Sequence, residues 1–215
     1  SRRKASVQVA LAEQKHGEQK MSTPTKLSKV LERLAARKAR ASKEAFGKYL
    51  QAGAKTDEIE KAGKKMGLTM LPELKELYSF ANGQRAAADK GLLMVPQNLP
   101  VEFLSLAEAQ KLALQWRLEA KDTMHGKWWR EAGYNPLWLP IGFNKSKHVA
   151  LCVSTKAGRI TRFTTPDGQV SHSTPAIVHL NENLLDYLRD LDAYLAGIRQ
   201  PFSGLGSNIP GPALC

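Results

Sequence analysis

The side chain with the clearest nucleophilic potential is the thiol of Cys152, and a thiol attacks only when a base is positioned beside it. His148 lies four residues upstream in a run of β-formers. That spacing puts both on one strand face, but about 13 Å apart at the usual rise per residue, beyond direct contact. Cys152 instead sits inside the apolar run 149–153 and reads as a buried small hydrophobe. The histidines at 16, 125, 148, 172 and 179 lack metal-site spacing, and neither CxxC nor HExxH occurs. His148 and His172 could share a sheet face, which supplies only two ligands. No GxxxxGKS/T or GxGxxG phosphate loop is present. Glu182, Asp186 and Asp190 follow one another at four-residue spacing, the pattern of a solvated helix face; glycosidase acids must oppose each other across a cleft. The expectation is a chain that is not an enzyme and takes no cofactor or metal.

Binding chemistry is better represented. Trp128-Trp129, followed by Arg130 and Tyr134, falls in the stretch 122–136, which reads as a long loop. Tryptophans in a loop can anchor an interface, or they can fold back as lids over a sheet. The residues leave both alternatives open for Trp128 and Trp129. Trp138, beside Leu139 and Ile141, reads as core. Arg159 and Arg162 lie on a predicted strand at 159–165 and are the candidate charged contacts, since the planar guanidinium suits interface carboxylates. Three residues apart on a strand they face opposite sides, so at most one can contribute much.

The elements that must hold these residues are legible from periodicity. Leu27, Val30, Leu31 and Leu34 recur at helical spacing, predicting an amphipathic helix over 25–49. A second helix runs from Thr56, read as its cap, to about Met66, with Gly67 placed to end it. A third starts at Leu71-Pro72, where proline fits the first turn, and stops at Asn82-Gly83, both of which tolerate positive φ. Residues 91–96 and 101–104 read as short strands. Ser105 and Glu108 form a capping box opening a fourth helix to about Lys121. Residues 138–143, 148–154, 159–165 and 170–173 are β-runs separated by turn chemistry, hence antiparallel. Asn181 is read as the cap of a last helix over 182–195, striped by Leu184, Leu185, Leu188, Leu191 and Leu195. This order predicts an α+β fold with a central antiparallel sheet and helices packed on one side of it.

Charge and composition narrow the setting. Of the net charge of +12, residues 1–70 hold +10, with 17 Lys/Arg against 7 Asp/Glu. A basic arm can attract nucleic acid, acidic protein or membrane surface, but only Phe46 and Tyr49 are available there for base stacking, so nucleic acid is the weaker reading. No run approaches the ~20 apolar residues that span a bilayer. Two cysteines make no disulfide framework, which fits a reducing, cytoplasmic compartment. Residues 1–24 read as a flexible basic leader, 25–199 as a single domain, and 200–215 as a flexible Pro/Gly tail.

Three segments, in order, resemble the SUKH superfamily, named partly for the Smi/Knr fungal cell-wall regulators. They are Leu71-Pro-Glu-Leu-Lys-Glu-Leu-Tyr-Ser-Phe-Ala-Asn-Gly83, Trp138-Leu-Pro-Ile-Gly142 with its following strand, and Asn183-Leu-Leu-Asp-Tyr-Leu-Arg-Asp-Leu191. Between the two strands many members carry a Gly/Asp-rich turn, where this chain has Phe143-Asn-Lys-Ser-Lys147. The resemblance implies a SUKH-like α+β domain and an immunity protein that binds and blocks a cognate bacterial toxin, with the regulatory scaffold of the Smi/Knr type as the alternative. A net-basic inhibitor suits a toxin with an acidic surface. The expected contact patch is Trp128, Trp129 and Tyr134 with Arg159 and Arg162.

Overall fold

A computed structural model of the chain describes residues 26–42, 50–85, 93–95, 99–123, 126–165 and 176–198. The expected leader, the expected tail and the strand at 170–173 lie outside these residues. The elements are α1 (Lys26–Ser42), α2 (Thr56–Met66), α3 (Pro72–Phe80), β1 (Leu93–Val95), β2 (Leu99–Phe103), α4 (Leu106–Lys121), α5 (Gly126–Glu131), β3 (Trp138–Asn144), β4 (Val149–Ser154), β5 (Ile160–Thr164), β6 (Ile177–Asn181) and α6 (Leu184–Leu195).

The described strands form one antiparallel sheet in sequence order, β1 to β6, interrupted only by the α4–α5 excursion between β2 and β3. The α+β architecture with a central antiparallel sheet is therefore as the β-runs and their turns predict. The strand β6 has no counterpart among the β-runs read from the sequence. Its residues pair with β5, Val178 opposite Arg162 and Ile177 opposite Phe163, so Asn181 ends a strand and does not cap the helix. The cap is Asn183, whose side chain accepts from the Asp186 amide at 2.9 Å.

Helices also cover more than one side of the sheet. One face carries Leu139, Leu151, Val153, Ile160 and Leu180, packed with α1, α3 and α6. The other carries Trp138, Ala150, Cys152 and Phe163 beneath Trp116 of α4 and Trp129 of α5. Five consecutive residues of β3 and of β4 are buried, the mark of a strand covered on both faces. The one-sided expectation does not hold, because α4 lays Trp116 on this second face and α5, a short helix within the stretch 122–136, adds Trp129 to it.

Local signals place the other helices. Ser105 Oγ accepts from the Glu108 amide while Glu108 accepts from the Ser105 amide at 2.8 Å, the reciprocal box that satisfies two otherwise orphaned donors. Thr56 is the first helical residue of α2 and Lys55 its cap; Gly67 ends it in the left-handed region. Of Asn82 and Gly83 only the glycine takes positive φ, 85°. Asn82 works through its side chain, accepting from the Leu106 amide at 2.8 Å and so tying the end of α3 to the start of α4.

The first helix is part of the core. Leu27, Val30, Leu31 and Leu34 are buried, and the carboxylate of Asp192 on α6 accepts from Arg33 Nε at 3.0 Å and Arg37 Nε at 2.6 Å. Its described extent is shorter than the predicted helix, and residues 43–49 lie outside the described set. Among the described residues, no helix is long and apolar enough to cross a membrane.

Candidate partner-binding surface

The stretch 122–136 is organised by an aromatic cluster. Trp129 is 3% exposed, with its ring centroid 5.7 Å from Trp116, 5.1 Å from Tyr134 and 5.9 Å from Phe163. Tyr134 also meets Trp138 at 6.4 Å, and burial pushes its hydroxyl up to about 12, against the opposing charge of Arg117. Edge-to-face and tilted pairs at these separations are the favourable arrangements of quadrupolar rings. Trp128, one residue earlier on the same short helix, is 46% exposed. The adjacent tryptophans therefore divide: Trp129 is a lid on the sheet and Trp128 faces solvent. Tyr134, half-buried in the cluster, supports that lid.

The arginines divide in the same way. Arg162 sits on β5 opposite Leu151 and is 5% exposed, and desolvation pulls its guanidinium below the ordinary arginine range. It is a sheet residue and is not available as a surface contact. Arg159 precedes β5, is exposed, and donates from Nε and one terminal nitrogen to Glu182 at 3.2 and 3.1 Å. Of the five residues singled out in the sequence, Trp128 and Arg159 are thus displayed, Trp129 and Arg162 are buried, and Tyr134 is half-buried between them and the surface.

Cys152 lies under the aromatic cluster on the sheet. It is fully buried, and desolvation raises its thiol well above the ordinary value, so the thiolate is disfavoured. His148 does not lie on β4 with it; it occupies the β3–β4 turn at φ 54°, its carbonyl accepting from the Thr165 amide at 2.9 Å. Among the described residues, no group of three or more His, Cys, Asp or Glu side chains could hold a metal ion.

Sequence reasoning missed an open groove of about 490 Å³ along the flank of α4. Its floor is Leu112, Trp116, Trp129 and Phe143. Glu108, Lys111, Gln115 and Glu119 form the helix side, and Lys145, His148 and Thr165 the facing side. The hairpin side is braced: Asn144 accepts from Ser146 Oγ at 2.9 Å and the Lys147 amide at 3.0 Å, and donates to the Pro100 carbonyl at 2.8 Å. The available signal was the basic turn Phe143-Asn-Lys-Ser-Lys147. What could not be read was that α4 passes alongside it. Near the start of α4, Glu102 on β2 has its carboxyl raised, first by burial and then by the charge of Glu108.

Comparison with known families gives a match to the model described as the SMI1 / KNR4 family (SUKH-1), over residues 53–196. The matched span opens just ahead of α2 and closes after α6, so it contains the whole described sheet and leaves α1 outside. No match was found among curated proteins.

Proposed function

The chain belongs to the SMI1 / KNR4 family (SUKH-1), and from that membership we propose that it is an immunity protein, binding and neutralising a cognate bacterial toxin by direct protein contact. Such an inhibitor needs a rigid scaffold, an aromatic anchor displayed from it, and a polar rim. The observation that carries the reading is Trp128. A large indole is held 46% exposed on a helix whose next residue is locked into the aromatic cluster. The buried Trp129 fixes the backbone that displays Trp128, so little ordering entropy remains to be lost on binding. Arg159 is the second proposed contact. Its present partner Glu182 is itself exposed, and exchanging one exposed carboxylate for another is cheap.

The test is co-expression with the toxin encoded next to this gene. Cells should survive only when the chain is present, and purified chain and toxin should form a one-to-one complex. Trp128→Ala should weaken that complex by about 2 kcal/mol, roughly thirtyfold, with the thermal midpoint unchanged. Survival that does not depend on the chain, or no complex at micromolar concentration, would end the immunity reading.

A further inference from the structure

The groove beside α4 has a chemistry of its own. Leu112 and Phe143, both half-buried, offer apolar surface between two charged walls. The walls are not equivalent. On the helix side the two carboxylates are already engaged: Glu108 accepts from the Ser105 amide and hydroxyl at 2.8 and 2.7 Å, and Glu119 from Gln115 Nε2 at 2.7 Å. Lys111, Lys145 and Lys147 are exposed and, among the described residues, have no carboxylate within ion-pair distance. The hairpin residues 144–148 carry two lysines and a histidine and no acid. Because Asn144 braces that turn against Pro100, its lysines project from a fixed backbone.

We propose that this groove seats an apolar side chain from an acidic segment of the toxin, with the carboxylates of that segment meeting Lys111, Lys145 and Lys147. The proposal rests on the immunity reading and deepens it, because it assigns the partner's chemistry at this surface. The apolar side chain covers Leu112 and Phe143, and the flanking carboxylates meet Lys111 and Lys145 of the lining and Lys147 of the adjoining turn, none of which has a carboxylate within ion-pair distance among the described residues. Complementarity of this kind sets register and accelerates encounter, and it weakens with salt.

Two probes test it, with Lys145→Glu/Lys147→Glu and Lys111→Glu as variants and Lys121→Glu, on α4 but outside the groove, as the control. The first probe is the toxin domain encoded beside this gene. The double reversal should weaken its binding at least about tenfold, mostly through a slower and less salt-dependent association, while the control leaves it within about twofold. The second is a blocked synthetic peptide with one phenylalanine flanked by aspartates. At millimolar concentration it should shift the indole resonances of Trp116 and Trp129, and the double reversal should abolish the shifts. Wild-type toxin affinity in the double reversal, or a peptide that leaves both indoles in place, overturns the proposal while leaving the immunity reading standing. Lysine-dependent peptide shifts without any toxin complex overturn the immunity reading and retain the acidic specificity of the groove. Tighter lysine-dependent binding of a single-stranded RNA oligonucleotide than of the peptide overturns it in favour of nucleic acid.

Discussion

Replacing Trp129 by alanine should unfold this domain at a markedly lower temperature, and the size of the effect follows from its surroundings. The side chain is almost fully buried and touches Trp116, Tyr134 and Phe163 with centroids between 5.1 and 5.9 Å. Deleting a buried tryptophan costs about 3–5 kcal/mol through lost transfer energy and the cavity left behind. The cluster cannot collapse easily into that space, because its floor is the sheet and Trp116 is tied to α4. The cost should therefore fall toward the upper part of that range, with lost ring pairs worth about 0.5–1.5 kcal/mol each beyond area burial included in it. For a domain of this size a kilocalorie moves the midpoint by about 2–4 °C, so a cost of about 4–5 kcal/mol gives a fall of about 8–20 °C. Differential scanning calorimetry measures it, and near-ultraviolet circular dichroism reports the loss of aromatic asymmetry. The control is Trp128→Ala, one residue away, which should stay within about 0.5 kcal/mol of the parent. A Trp129→Ala variant no less stable than Trp128→Ala would refute the division of the two tryptophans between core and surface.

Leu31→Ala tests whether α1 belongs to the folding unit although it precedes the family match. Leu31 is fully buried, so the cost should be about 2–5 kcal/mol by urea denaturation; a loss below about 0.5 kcal/mol would mean that α1 is merely appended. Gly83→Ala should destabilise the domain, because the residue sits at φ 85° and a Cβ would meet the backbone of Ser105 at 2.3 and 2.6 Å and the carbonyl carbon of Leu104 at 2.8 Å; thermal denaturation that matches the parent would contradict that close approach. Glu102 has its folded carboxyl raised by burial and by Glu108, so the folded state holds its proton more tightly and stability is lost as pH rises from the ordinary carboxylate value through the raised one. Glu102→Gln should therefore melt higher than the parent at pH 7 and converge with it below about pH 4, where both side chains are neutral; a constant difference across that window would assign the effect to something other than titration.

What the sequence determined by itself was whatever depends on neighbours a few residues away. The capping box of Ser105 and Glu108, the left-handed stop at Gly67 and the leucine stripe of α6 are local hydrogen-bond and periodicity devices, and each stands where its pattern placed it. The antiparallel order of β3, β4 and β5 follows equally from the short turns between them. Tertiary structure alone decided the rest. Trp128 and Trp129 are chemically identical neighbours, and which one faces the sheet depends on how α5 docks against Trp116 and Phe163, far away in sequence. Arg162 reads as a charged contact until the register opposite Leu151 and Val178 encloses it. The strand β6 is not legible in the sequence, because five residues carry little periodicity until a partner strand satisfies their backbone groups. The groove exists only because α4, launched from the end of β2, returns beside the β3–β4 hairpin. Side-chain type and spacing state what a residue can do; which solvent, partner or core it meets is set by packing between segments that the chain brings together only on folding.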